Sequence, residues 1–466
     1  MKANKYIAGF LALFAAQAAS AATFEITGAT AFRAATIESI KALYTASGQP
    51  FRFSHNATTE AKFNGADVIT FEGTITGAGL GANTVVRCSF NGSIEGLRAM
   101  AQPGQTGIEG SNGDPSFLKL STAQTEAATL GGTNIENVAN SGGNIERALA
   151  EMAFSDTDKA ISPYAGNDMV GASPGIAVFG LVVSEGASGI TNVTAANYNS
   201  LLTNGFVRMS QLTGNSAHDG RKVFCTGRND GSGTRSSYLT EMGYGAANPV
   251  QQYLVVSQNG NQIKAIQNVP VNGTNDSDPI TSGVQLPSGS DIKAFDDGPE
   301  TITQLTTSLS TVWGQNVAGN GGAFSGSVLR GHLALDGDSV TVFDVDGVDF
   351  FGEPQTDIGL VSWISLNDAK EAVANGATLA AFDGVGLTFT SGALTTLDKE
   401  KIYNGQYTPW NFQQFYRRFV QDANTGVLYN LIFAAIPNNL ATAGLRNIDM
   451  KVGRGGDGGV INPKFE

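Results

Sequence analysis

Cysteine and histidine are almost missing from this chain, at 2 and 3 of its 466 residues. His55, His218 and His332 are scattered, and neither Cys88 nor Cys225 stands in a ligand-like spacing, so no metal site and no cofactor is expected. Two thiols allow one disulfide in an oxidising compartment or two separately buried cysteines, and the sequence leaves both open. Charge is sparse as well, at 15% of residues, and the 28 Lys and Arg are outnumbered by 41 Asp and Glu, for a net charge of −13. That balance argues against nucleic acid or an anionic membrane as a partner. It does not exclude a small anion, because exposed charges beyond about 10 Å are screened while a local donor cluster acts at contact. After the first residues no long apolar run appears, so no membrane insertion is expected.

What is abundant is glycine, 59 residues, which with the low charge suggests a loop-rich exported protein. The length exceeds one typical core and suits two lobes. Residues 1–21 read as a secretory signal: Lys2 and Lys5 are the positive start, Ile7 to Ala16 the apolar core, and Ala19-Ser20-Ala21 the cleavage pattern. A membrane anchor needs about 20 apolar residues, roughly twice this core. Cleavage is expected near Ala21 or Ala22, with no lipid-attachment cysteine following, which places the mature protein in the periplasm or outside the cell.

The most informative stretch runs from Lys222 to Leu239. An apolar run, Val223-Phe224-Cys225, passes into Arg228-Asn229-Asp230-Gly231-Ser232-Gly233-Thr234 and then into a helical pattern from Ser236 to Met242. Gly231 and Gly233 let backbone approach a ligand, and N–H groups at the helix start can point at negative charge. Ser232 and Thr234 add hydroxyl donors. Arg228 supplies a planar, permanently charged fork for a tetrahedral oxyanion, and Asp230 can hold that fork or accept a ligand proton. As an isolated stretch, it reads equally well as an ordinary turn with a surface arginine.

In its position after a strand and before a helix, this loop resembles the anion loop of the periplasmic phosphate-binding proteins of ABC transporters. The other segments follow in that family's order. Thr23 to Ile26 reads as a strand and Phe32 to Ala46 as a helix striped by Ile37, Ile40 and Tyr44, with a stop at Gly48. The loop between them resembles the family's Gly-Ala-x-x-Phe segment, which implies backbone and hydroxyl donors at Thr30, Ala31 and Phe32; Arg33 stands where the family has proline and offers a second positive group. Thr84 to Ser89 is a strand leading through Asn91-Gly92-Ser93 into a helix from Ile94 to Met100. Ser93 is carried over as a hydroxyl ligand, although a helix N-cap needs no ligand. Residues 103–143 read as an insertion. A helix is expected from Asn144, burying Ile145, Leu149 and Met152 and ending in Phe154-Ser155-Asp156, which resembles the family's Phe-x-x-Ser-Asp segment. Ser155 would donate a hydroxyl, and Asp156 would accept a bond from a protonated oxyanion, favouring hydrogen phosphate over sulfate.

Gly175 to Val183 is a continuous apolar run, suited to a strand buried on both faces, and the resemblance makes it the first crossing between lobes. Thr194 to Leu212 resembles the family's helix and loop before the anion strand. Residues 245–350 read as an elaborated, partly β stretch, followed by Ile358 to Trp363 as a late strand. Lys401 to Trp410 resembles the family's Asn-Gly-x-Tyr-Pro segment ahead of the returning strand. The resemblance therefore implies an α/β, two-lobed type II periplasmic-binding-protein fold with mixed sheets, a hinge and β-rich insertions. Lobe I would comprise 22–175 and 413–466, and lobe II 176–412.

Three patterns read as decoys. Gly171-Ala172-Ser173-Pro174-Gly175 matches a nucleophile elbow, but Pro174 cannot donate to an oxyanion hole. Gly453-Arg454-Gly455-Gly456-Asp457-Gly458 fits a dinucleotide fingerprint only as text, without strand and helix around it, and reads as a flexible loop. Asp344, Asp346, Asp349 and Glu353 lack EF-hand spacing and read as acidic hairpin turns. The expected function is capture of inorganic phosphate or a similar oxyanion by a monomer that hands it to an ABC permease, without enzymatic chemistry. The rivals are a surface or adhesive protein on the same fold and a phosphatase, the last lacking a nucleophile or metal.

Overall fold

The computed structural model describes residues 22–464 except 58–63, 78, 102–114, 120–134, 138–144, 167, 270–290, 293–318, 324, 346, 420 and 441–444. The expected signal, most of the 103–143 stretch, much of 245–350 and Asp346 lie outside the described residues.

The chain first lays down β1 (Thr23–Gly28), α1 (Arg33–Ala46), β2 (Arg52–His55), β3 (Val68–Gly73), β4 (Thr84–Ser89), α2 (Ser93–Ala101), β5 (Met152–Ser155) and β6 (Met169–Val183). It continues through α3 (Ala195–Asn204), β7 (Phe206–Arg208), α4 (Met209–Thr213), β8 (Lys222–Cys225), α5 (Gly233–Glu241), β9 (Tyr253–Asn259) and β10 (Gln262–Asn268). It then forms α6 (Gly326–Leu333), β11 (Ser339–Phe343), β12 (Gly359–Ser365), α7 (Leu366–Ala374), β13 (Thr378–Phe382), α8 (Thr396–Tyr403), β14 (Trp410–Arg418) and α9 (Ala423–Ala435). One mixed sheet orders most of the strands as β7-β8-β12-β6-β14-β5-β1-β4-β3-β2.

Two lobes follow from the apolar clusters strung on this sheet, two in the first lobe and one in the second. In the first, β5, β1 and β4 run parallel. Ile37, Ile40 and Tyr44 of α1 are buried with Phe24, Ile26 and Phe71, and Phe154, Phe415 and Tyr429 form a stack with successive centroid separations of 4.0 and 4.4 Å. In the second, β8 runs parallel to β12, and Val223, Tyr238 and Trp363 lie among Phe179 to Val183. The fifteen-residue β6 belongs to both. Its start pairs antiparallel with the end of β14, Met169 opposite Arg418, and its end pairs with β12, Val183 opposite Val361. The expected apolar crossing at Gly175–Val183 is the buried half of β6, and β14 is its return partner. After β14 the tail divides: Leu428, Ile432 and Ile436 pack in the first core, whereas Leu445, Met450 and Val452 pack in the second.

One expected element is different. The helix expected from Asn144 is instead a short strand at Ile145–Arg147, paired with Ser116–Leu118, followed by β5. All four residues of β5 are buried between β1 and β14, and Leu149 is exposed. Helical spacing of Ile145, Leu149 and Met152 was outweighed by burial on both faces, which a central strand satisfies. Ser173 of the nucleophile-like pattern sits within β6 and donates to the Gly175 carbonyl at 2.9 Å, with no elbow around it.

The thiols are separate. Cys88 belongs to the first core and Cys225 to the second, and both are free and buried. Burial pushes the Cys225 thiol up to about 12 and Cys88 higher still, so neither is a ready nucleophile. Ellman's reagent is expected to find almost no reactive thiol in the folded protein and two per chain after unfolding in guanidinium without reductant; fewer than two in the unfolded chain would mean a disulfide.

Candidate anion-binding site

The loop after β8 is buried throughout. Ser232 caps α5 by accepting the Arg235 amide at 3.3 Å, leaving the first N–H groups of the helix turned outward over Gly233 and Thr234. A second segment straps the loop from behind: the Ala323 amide donates to Gly227, and the Asn229 amide to the Ala323 carbonyl, at 2.8 and 3.1 Å. The Arg228 Nε also donates to that carbonyl, at 3.1 Å. Gly322 is required here, since a Cβ would sit 2.3 Å from the Arg228 carbonyl carbon. Arg235 points back from the helix and donates to the carbonyls of Arg228 and Asn320 at 3.3 and 2.8 Å, and Gln252 donates to those of Arg228 and Gly321 at 3.2 and 2.6 Å.

Three loops of the first lobe leave the carboxyl ends of parallel strands, the place where open α/β sheets hold ligands. That after β4 supplies Ser93 at the start of α2, and that after β5 supplies Asp156. They meet the β8 loop across the lobes. Asp156 Oδ2 accepts the Thr234 hydroxyl at 3.1 Å, its Oδ1 accepts the Ser93 hydroxyl in a short contact, and its amide donates to Ser93 Oγ at 3.1 Å. The Gly231 carbonyl accepts the Ile94 amide at 3.1 Å. Gly233 is the closest point, since a Cβ there would lie 1.8 Å from Asp156 Oδ1.

The charges at this meeting are nearly dry, Asp156 being 2% and Arg228 3% exposed. Burial raises the Asp156 carboxyl above its ordinary range, against the pull of Ser93, Arg228 and Thr234. Burial likewise draws the Arg228 guanidinium down to about 10, with Asp156 and Asp368 opposing and Arg33 assisting. Arg228 thus stays charged at neutral pH.

The remaining expected residues are placed as follows. Asp230 is buried in the same loop and helps to raise the Tyr164 phenol after burial and Glu95. Ser155 is buried but turned away: it donates to the Thr157 carbonyl at 2.6 Å and accepts the Thr157 amide, closing its own turn. Thr30, Ala31 and Phe32 lie at the start of α1. Ala31 and Phe32 line a cavity of about 30 Å³ between lobes, facing Ile176 to Phe179 and the Ser365–Asn367 start of α7, and Arg33 is ion-paired with Asp67. Arg235, Gln252 and Asn320 went unread in the sequence. A charged residue in a first helical turn gives no hint of burial; the signal that could have pointed here is the run Gly319-Asn320-Gly321-Gly322, whose glycines permit close backbone approach. The Gly453–Gly458 segment, expected to be a flexible loop, is packed: Arg454 and Asp457 are both buried against the site's surroundings.

No protein-family model matches the chain, and no curated protein matches it. It is similar to solved structures of proteins described as phosphate-binding. One, assigned as a phosphate ABC transporter substrate-binding protein with bound phosphate from Clostridium perfringens, is 10% identical over 91% of this chain and 99% of that one, with a TM-score of 0.41. An ABC-type phosphate transport receptor from Vibrio cholerae is 11% identical over 89% and 94%, with a TM-score of 0.38. PstS from Borrelia burgdorferi is 11% identical over 91% and 98%, with a TM-score of 0.34. Such low values leave the reading of the site to its own residues.

Gly233→Ala forces a methyl group onto Asp156 and Ser93. It is expected to lower stability by roughly 1–3 kcal/mol, as overpacking does, seen as a reduced urea midpoint with an unchanged slope; an unchanged midpoint would mean that the lobes do not meet there.

Proposed function

We propose that this protein captures inorganic phosphate, or a similar tetrahedral oxyanion, between its lobes and delivers it to an ABC permease after export. The observation that carries the reading is the meeting of buried Arg228, buried Asp156 and the starts of α2 and α5 at one point. Arg228 supplies net attraction through charge-assisted donors, each contributing about 1.5–3 kcal/mol. The Ser232 hydroxyl and the amides at Gly233 and at Thr30 to Phe32 are the uncharged donors, with the helix starts adding about 0.3–1 kcal/mol each; the hydroxyls of Ser93 and Thr234, which donate to Asp156 here, serve an anion by turning from it. Asp230 steadies the Arg228 loop. Ser155 serves by fixing the turn that presents Asp156, its own proton being held by Thr157.

Asp156 sets the choice of anion. A buried carboxylate repels an anion unless the anion brings a proton to share. Hydrogen phosphate carries one near neutral pH and sulfate does not. Export rests on the signal-like residues 1–21; among the described residues no helix is long and apolar enough to cross a membrane.

Calorimetric titration of protein stripped of ligand tests this. Phosphate is expected to bind at neutral pH with little response to sulfate, and failure to bind either would refute the reading. Arg228→Ala is expected to weaken phosphate by on the order of 100-fold, the loss of two charge-assisted bonds. Asp156→Asn replaces an acceptor-only carboxylate by a group that can donate, so sulfate binding should rise towards that of phosphate. Lowering the pH acts in the same direction in the wild type: as the Asp156 carboxyl takes up its proton, it becomes a donor and sulfate affinity grows.

A further inference from the structure

The glycine-rich segment from Gly453 to Gly459 plays no part in the reading above, yet it is tied to three elements around the site. Arg454 donates to Glu241 on α5 at 2.8 Å and to the Thr408 carbonyl at 2.9 Å, and lies over the Trp410 ring at the start of β14, 4.3 Å from its centroid. Gly458 has φ +65° and packs against α5, where a Cβ would meet the Thr240 carbonyl oxygen at 2.7 Å. Between these anchors Asp457, 6% exposed, reaches the turn that carries Asp156. Its Oδ2 accepts the Asp158 amide at 2.6 Å and the Thr157 hydroxyl at 3.1 Å. The Thr157 hydroxyl oxygen lies 3.2 Å from that of Ser237 on α5, and Ser237 donates to the Asp156 carbonyl at 3.2 Å.

We propose that this segment is a latch across the cleft, in which Asp457 is a positioning residue that holds the Asp156–Asp158 turn of the first lobe against α5 of the second. The proposal rests on reading that turn as part of the anion site. Arg454 anchors the latch to the second lobe and to the crossing strand, while Asp457 alone of its side chains grips the first lobe. Separating the lobes must break the Asp457 bonds or lift the segment from α5, so the latch bears on how fast a bound anion leaves. The charged and titratable groups around Asp457 are Asp158, Arg454 and the Tyr416 phenol, with Glu241 behind Arg454. Burial, assisted by Asp158, pushes the Asp457 carboxyl up to about 7. Below that pH its neutral form prevails, and asparagine copies the shape and the accepting oxygen of that form.

The test compares wild type, Asp457→Ala and Asp457→Asn as full-length mature proteins at pH 6. Amide hydrogen exchange is followed without ligand, and phosphate dissociation by rapid displacement. In Asp457→Ala, the amides of Thr157 and Asp158 are expected to exchange about tenfold faster, with those of α1 and α9 unchanged, and phosphate to leave about tenfold faster with its association rate unaltered, as losing two ordinary hydrogen bonds implies. Asp457→Asn should restore both to within about twofold. Gly458→Ala, whose methyl group meets Thr240, displaces the segment without touching the carboxyl and should raise exchange at the same two amides. Unchanged exchange there in Asp457→Ala overturns the latch. So does faster exchange spread over α1 and α9, or equal loss in the alanine and asparagine variants, since each marks Asp457 as a residue of general stability. A wild type that binds no phosphate defeats the functional reading instead, and the exchange measurements still decide the latch.

Discussion

A carboxylate taken out of water must be compensated by the groups around it, and Asp156 obliges two lobes to do this together. Its oxygens are met by a hydroxyl from each side, Ser93 of the first lobe and Thr234 of the second, with the Arg228 charge within reach. Removing one side leaves a buried charge with half its partners, which is costly. The closed arrangement is therefore tied to the state of one acid. Its raised carboxyl shows that desolvation still exceeds what the protein's own groups return. A ligand that brings a proton to this oxygen and negative charge to Arg228 satisfies both groups at once.

The scaffold explains why those groups meet. Parallel strands put their carboxyl ends, and hence their following loops, on one edge of each lobe. β5, β1 and β4 do so in the first lobe, and β8 and β12 in the second. Because β6 and β14 run through both lobes as one antiparallel pair, the two edges face one another across continuous backbone. The glycines at the contact then set the limit of approach, as at Gly233, where no side chain fits.

Much of this was legible in the sequence because the informative features are local. Strand, polar glycine loop and helix follow one another around Gly28, Gly92 and Gly231 within a dozen residues, and each boundary fell close to its place. The crossing at Gly175–Val183 was readable because a strand buried on both faces leaves a continuous apolar run. Three things were not readable, all for non-local reasons. The strand at Met152–Ser155 owes its state to β1 and β14 on either side, far away in sequence. Arg235 and Gln252 matter through backbone carbonyls of residues near 320, a pairing no spacing encodes. The tail at Arg454–Asp457 looks like a loose glycine loop because its partners, Thr157, Asp158 and Glu241, lie more than two hundred residues upstream.

The choice of cation also follows from burial. A net charge of −13 opposes an anion at long range, but that field is screened over about 10 Å, whereas Arg228 acts at contact. In so dry a place a lysine would be drawn towards neutrality and lose the attraction that the proposed anion site requires. An arginine lowered to about 10 keeps its proton at any pH the protein meets. Arginine also lets the loop be secured from behind without spending its charge, since Nε donates to the Ala323 carbonyl and the backbone is held by Arg235 and Gln252. Among the described residues, the buried cations Arg98, Arg228, Arg235 and Arg454 are of the type that survives desolvation. An acidic protein can hold a positive site in this way, by fixing a few arginines in depth rather than spreading basic residues over its surface.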